Sequence, residues 1–234
     1  MTSADLRRAV RDLADPATAA FLQRYFKTGP GEYGEGDRFL GIRVPRLRQL
    51  AREYRSLPFA GAVSLLESPW HEERLLALLI LVEQFRRGSP AEREAIYLAY
   101  LANTRHINNW DLVDTSAEHI VGAHLHPADL TVLKRLARSG SVWERRIAIM
   151  STFHMTRAGT LAPALEISVL LLHDAHDLIH KAAGWMLREA GKRDRARLEE
   201  FLREHYRAMP RTMLRYALEH IPEPRRGEYM RGEV

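Results

Sequence analysis

The chain has no cysteine among its 234 residues, which excludes disulfides, thiolate metal sites and cysteine nucleophiles together and fits a reducing compartment. Lysine is scarce: Lys27, Lys134, Lys181 and Lys192 are the only four, so the basic side of the charge balance is almost all arginine. No apolar run is long enough to cross a bilayer, and Met1 to Arg7 shows no basic segment followed by an apolar one, so a cytoplasmic location is expected. Clear period-2 alternation with turn dipeptides is missing, which argues against strands. There is no HExxH pattern among the histidines. The group His119, His124 and His126 is interrupted by Gly122 and Pro127, and His173, His176 and His180 form no better motif, so no metal is expected. The glycine-rich stretch Thr28 to Asp37 must be a loop. It lacks the Gly-Lys-Ser/Thr ending of a nucleotide-binding loop and carries Glu32, Glu35 and Asp37, which would repel phosphate.

What is present is helical. Hydrophobic residues make up 46% of the chain, enough to bury a sizeable core, and Glu72 to Val82 and Arg145 to Met150 are apolar helical runs. Prolines at 16, 58, 69, 90, 127, 163, 210 and 222 fall where a helix opens or its predecessor ends. A basic residue two before alanine recurs at Arg146-Ile147-Ala148, Lys181-Ala182-Ala183 and Arg215-Tyr216-Ala217, about 35 residues apart. Trp70 to Arg74 and Trp110 to Asp114 read as more diverged copies. This spacing suits stacked antiparallel helix pairs of HEAT or armadillo type. The expectation is an all-α superhelical stack over residues 1–234 as a single domain, with a concave groove lined by the second helix of each pair.

Two segments carry chemistry. In Asn109-Trp110-Asp111-Leu112-Val113-Asp114, a helix puts Trp110 and Asp114 on one face at i and i+4; in Lys181 to Glu189, Trp185 and Arg188 share a face at i and i+3. A carboxylate beside an indole suits a developing cation, and an indole beside an arginine suits a sugar and its phosphate. The net charge of +5, carried by planar guanidinium forks, favours an acidic partner. Together these features point to chemistry on nucleic acid.

Tyr25-Phe26-Lys27, Phe39 to Pro45, the Trp110 to Asp114 block, Trp143-Glu144-Arg145-Arg146 and Lys181 to Glu189 resemble, in order, the AlkD-like DNA alkylation repair glycosylases, over about residues 20 to 190. The resemblance implies a HEAT-like-repeat enzyme, active as a monomer without metal or cofactor. Such an enzyme excises positively charged N3- and N7-alkylated purines from duplex DNA and engages the lesion from the sugar-phosphate side without holding the base. It implies Asp114, Trp110 and Trp185 as the catalytic set, and Arg146 and Arg188, with Lys181 one turn before Trp185, as clamps on backbone phosphates. Tyr25 matches a family tyrosine near the DNA. The chain departs from some members in its glycine-rich loop, in Asn109 where they have tryptophan, and in Arg43 where they have glutamine; Arg43 adds charge near the strand.

The chemistry of the lesion agrees. A purine alkylated at N3 or N7 is cationic and leaves as a neutral base, so no general acid is required. Catalysis then means stabilising the cationic sugar with a fixed carboxylate, which also orients water, and with aromatic faces. Asp111 is read as structural, since an acid in a first turn complements the helix dipole. Trp70 and Trp143, at repeat starts, are read as packing residues. Two other readings stand beside this one: a non-catalytic paralogue that binds damaged or branched DNA, and a HEAT-repeat protein-interaction scaffold.

Overall fold

The computed structural model describes residues 2–234. It divides the chain into two compact units, Met1–Ile120 and Val121–Val234. Among the described residues all regular structure is helical, as the sequence predicts; the one β-bridge is an isolated pairing of Arg38 with Trp70.

The first unit holds seven α-helices: α1 (Ser3–Arg11), α2 (Pro16–Tyr25), α3 (Val44–Glu53), α4 (Phe59–Leu65), α5 (His71–Arg87), α6 (Pro90–Ala102) and α7 (Trp110–Asp114). Their starts are written locally. Asp15 caps α2 ahead of Pro16, and Ser89 with Glu92 forms a capping box ahead of Pro90 on α6, so prolines whose missing N–H costs nothing sit in the first turn. At the centre is α5, against which α3, α4, α6 and α7 pack. Leu75 to Val82 of α5 is buried without a break, each large apolar side chain contributing roughly 1.5–3 kcal/mol. A helix buried on all sides shows little amphipathic pattern, which is why this stretch reads as a continuous apolar run.

The first turn of α5 is also buried although four of its residues, His71, Glu72, Glu73 and Arg74, are polar. Each has long-range partners. The Glu72 carboxylate accepts the backbone N–H groups of Leu40, Gly41 and Ile42 at 2.8, 2.8 and 3.1 Å, fixing the chain that leads into α3. Glu73 faces Arg7 and Arg11 of α1 at 3.6 and 3.5 Å.

The second unit holds α8 (Thr131–Ala137), α9 (Val142–Arg157), α10 (Ala162–Leu170), α11 (Asp177–Arg193), α12 (Arg195–His205), α13 (Arg211–Ala217) and α14 (Arg225–Arg231). The three self-similar triplets fall on α9, α11 and α13. Helix α9 packs on α11 and α11 on α13, so the repeat seen in the sequence is a succession of stacked helices. Gly184 makes the second of these contacts close: a Cβ there would lie 2.5 Å from the Met213 carbonyl oxygen and 2.6 Å from Tyr216 Cβ. One π-helical turn, Glu118–Gly122, follows α7 and has no sequence signature.

Candidate functional site

In the first unit, α7 is a short helix whose first and last residues are Trp110 and Asp114, so the two share a face as the spacing predicts. Asn109, fully buried, starts it by accepting the Trp110 backbone N–H at 2.8 Å. Both Trp110 and Asp114 remain partly exposed. The indole ring stacks on Phe26 with centroids 5.0 Å apart and 20° between planes, and Tyr25 meets it edge-on at 6.1 Å. Its N–H donates to the Tyr33 phenol, whose pKa is raised chiefly by burial. Asp114 lies close enough to Tyr100 that its charge, after burial of the phenol itself, raises the Tyr100 pKa.

Tyr25 is an exposed residue, stacked on exposed Phe21 at 6.1 Å; Phe26 is the buried member of that trio. Arg43 is exposed at the start of α3. The glycine-rich segment is non-helical, as expected, and it is seated against the Trp110 support. A Cβ on Gly34 would strike the Phe26 carbonyl oxygen at 2.6 Å and approach Asn109 Nδ2 at 3.3 Å.

Sequence reasoning missed what lies beneath this surface. His71 Nδ1 is 2.7 Å from Asp37, at the end of the glycine-rich loop, and Nε2 is 2.8 Å from Asp111 on α7. Arg74 donates to the second oxygen of Asp37 at 2.6 Å, to Asn108 at 3.2 Å and to the Ser68 carbonyl at 3.0 Å. Burial opposes charge on His71, yet the carboxylate of Asp111, followed by that of Asp37, raises its pKa to about 9. Burial would raise the Asp37 pKa; the His71 bond, with the His71 and Arg74 charges, brings it below the ordinary value instead. Phe39 stacks on the imidazole at 4.3 Å and on Phe26 at 5.0 Å, so one column runs from His71 through Phe39 and Phe26 to Trp110. The structural role read for Asp111 is that of a bond holding α7 to α5. The signal available was the buried-run position of Trp70 to Arg74, with His71 and Arg74 at i and i+3 on one face.

In the second unit, Trp185, Arg188 and Lys181 lie on α11, all partly exposed. Glu189 gathers the neighbourhood: its Oε1 accepts the Trp185 indole N–H at 3.2 Å, two Arg188 nitrogens at 3.1 and 3.2 Å, and Lys192 at 2.8 Å. Arg188 also pairs with Glu219. Burial disfavours the guanidinium's charge, but the Glu219 and Glu189 bonds outweigh it and raise the Arg188 pKa. Lys181 pairs with Asp177 at 2.7 Å one turn away. Arg146 on α9 is buried and donates to the Leu178 carbonyl at 2.6 Å. Trp143 is buried, in keeping with its packing role, whereas Trp70 is partly exposed with the Arg38 guanidinium 4.6 Å over its ring. The later histidines have local bonds: His176 caps α11 by accepting from Leu178 N–H, and His180 Nε2 bonds the Asp174 carbonyl at 2.5 Å.

These features, a half-open indole and carboxylate in one unit and an indole with guanidiniums in the other, can be set beside known proteins. A predicted DNA alkylation repair enzyme from Enterococcus faecalis has a similar fold, with a TM-score of 0.71 at 20% identity over 90% of this chain and 97% of that one. No match is found among curated proteins. The family model described as DNA alkylation repair enzyme matches residues 6–221. That span takes in both units and every residue singled out above, and on it the chain belongs to the DNA alkylation repair enzyme family, whose substrate is DNA.

Proposed function

We propose that the chain is a monofunctional DNA glycosylase that hydrolyses the N-glycosidic bond of cationic N3- and N7-alkylated purines in duplex DNA. The observation that carries this reading is the pair on α7. Trp110 is backed on one face by Phe26 and oriented by Tyr33 and Tyr25, and the carboxylate of Asp114 stands one turn further along the same face.

The bond from C1′ to the purine nitrogen breaks with its electron pair going to the base, which departs neutral because it began cationic. Positive charge passes to the deoxyribose, where the Asp114 carboxylate and the faces of Trp110 and Trp185 stabilise it; each aromatic face is worth about 0.5–2 kcal/mol. Water then adds at C1′, oriented by Asp114, and its proton leaves to solvent. Because the leaving group needs neither protonation nor a Lewis acid, residues of this kind suffice without a cofactor. Arg146, Arg188, Lys181, Arg43 and Tyr25 bind the backbone around the lesion. Recognition rests on the lability and charge of the base rather than on a pocket for it, so the enzyme tolerates bulky adducts that leave the base cationic. It acts as a cytoplasmic monomer.

The test is release of free base from duplexes containing N7-methylguanine or N3-methyladenine by wild type and Asp114→Asn. The expected result is release by the wild type, with Asp114→Asn about 10²- to 10³-fold slower, the scale seen when a preorganised charge-stabilising group is removed, and still able to bind DNA. An Asp114→Asn protein as active as wild type overturns the catalytic assignment. No release by either protein, with DNA still bound, would mark a non-catalytic binder of damaged or branched DNA.

A further inference from the structure

A small cavity in the first unit, of about 110 Å³, lies among α3, α5 and the chain just after α7. Its polar lining is Arg48 and Arg52 of α3, Glu83 and Arg86 of α5, Thr115 and His119. Three guanidiniums therefore face one carboxylate, and Glu83 is already engaged with Arg86 at 3.4 Å and Arg87 at 3.2 Å. Among the described residues neither Arg48 nor Arg52 has an ion-pair partner or a side-chain hydrogen bond. They stand at i and i+4, where like charges repel. Several other arginines of the helices do have such a partner: Arg86, Arg145, Arg188, Arg195 and Arg197 each face a carboxylate.

We infer that this cavity is a phosphate subsite, and that its occupant is a backbone phosphate of the DNA. The inference rests on the reading of the chain as a DNA-binding repair enzyme. The chemistry of the lining selects the ligand. Two unpaired planar forks and a third beside them match the several oxygens of a phosphate, and a cavity of about 110 Å³ has room for one such group. The position gives it a use. Thr115 immediately follows Asp114 and caps the C-terminal end of α7. A phosphodiester anchored by Arg48 and Arg52 is thus held beside the end of the helix that presents the carboxylate, and it fixes the register of the strand relative to Asp114. Arg48 and Arg52 are positioning residues in this scheme and touch no reacting atom.

The experiment is the salt dependence of duplex affinity for wild type, Arg48→Ala/Arg52→Ala and, as a control for net charge, Arg195→Ala/Arg197→Ala, measured on undamaged and lesion-containing duplexes. Loss of one phosphate contact lowers the magnitude of the slope of log K against log salt by about 0.9, which at 0.1 M salt is about an eightfold loss of affinity. That change is expected in the cavity variant alone, with Arg48→Lys/Arg52→Lys recovering most of the slope. Equal changes in the cavity and control variants, or none in the cavity variant with its melting temperature intact, overturn the inference. A parallel titration with inorganic phosphate at constant ionic strength separates the sources. If phosphate binding is lost in Arg48→Ala/Arg52→Ala while duplex affinity is unchanged, the cavity is a site for a free anion and the DNA assignment falls. If the slope changes as expected but no protein releases base, the subsite stands and the glycosylase reading fails.

Discussion

Helices α5 and α11 are both 17 residues long and both place charged side chains next to a tryptophan, yet they use them in opposite ways. On α5 the charges beside Trp70 are in the first turn and buried, and two of them find partners 30 to 40 residues away in sequence: Leu40 to Ile42 for Glu72, Asp37 and Asp111 for His71. On α11 the charges are half-exposed, and Glu189 draws on Trp185, Arg188 and Lys192 within four residues of itself. A buried ion array with every member bonded locks one arrangement of chain, because removing one member strands the others in low dielectric. An exposed array trades partners at little cost. The first suits a support that must not move under Trp110; the second suits guanidiniums that give up a carboxylate for a phosphate.

The largest expected effect follows from breaking the α5 array. His71→Phe keeps an aromatic ring stacked against Phe39 but leaves Asp37 and Asp111 without their shared cation. Destabilisation of about 3–5 kcal/mol is expected, the range for stranding buried charge, read as a fall in the thermal or urea midpoint. A midpoint within measurement error of wild type would show that ring stacking, rather than charge, holds α7 to α5.

The same array predicts a pH dependence. The folded pKa of His71, about 9, is above the unfolded value of 6.5, so its stabilisation is complete below pH 6.5 and is lost as pH rises toward 9. The loss is about 3 kcal/mol at most, at 1.36 kcal/mol per unit. Asp37 acts at the other end: its lowered pKa adds stability above its ordinary value of 3.8 that disappears as pH falls through the folded value. Melting temperatures from pH 6.5 to 9.5 should therefore decline in the wild type and lie flatter in His71→Phe.

How much of this was legible in the sequence divides along the same line. Features set by neighbouring residues could be read directly: helices from apolar runs, their starts from Asp15-Pro16 and Ser89-Pro90, the loop from its glycines, and the shared face of Trp110 and Asp114 from a spacing of four. The repeat triplets on α9, α11 and α13 were legible because stacked helices reuse one local pattern. The Asp37, His71 and Asp111 array was not, since nothing local pairs residues 34 and 40 positions apart, and a buried Glu72 looks in sequence like any first-turn acid. Resemblance located Arg146 without telling its environment; only packing shows that it is buried against the Leu178 carbonyl.

Arg146 thus stands between the two kinds of array, and Arg146→Ala should do two things. Loss of a charged bond to the Leu178 carbonyl and of the buried stem should lower stability by about 2–3 kcal/mol. If the guanidinium also reaches a phosphate, the salt slope of DNA binding should flatten by about 1. A stability loss with an unchanged slope would assign Arg146 to the α9–α11 packing alone.

The smallest effect tests the exchangeable array. Glu189→Gln keeps an oxygen to accept the Trp185 indole N–H, so the ring holds its orientation, but removes the negative charge that competes for Arg188 and Lys192. The pairs are largely solvent-screened, so stability should change by less than about 1 kcal/mol. Affinity for duplex should rise about two- to fivefold at low salt, with a steeper salt slope, because Lys192 no longer has to leave a carboxylate before meeting phosphate and Arg188 has only Glu219 left to leave. Weaker binding, or a stability loss approaching that of His71→Phe, would show instead that Glu189 holds α11 as rigidly as Asp37 and Asp111 hold α7, and that Arg188 is not available to the strand.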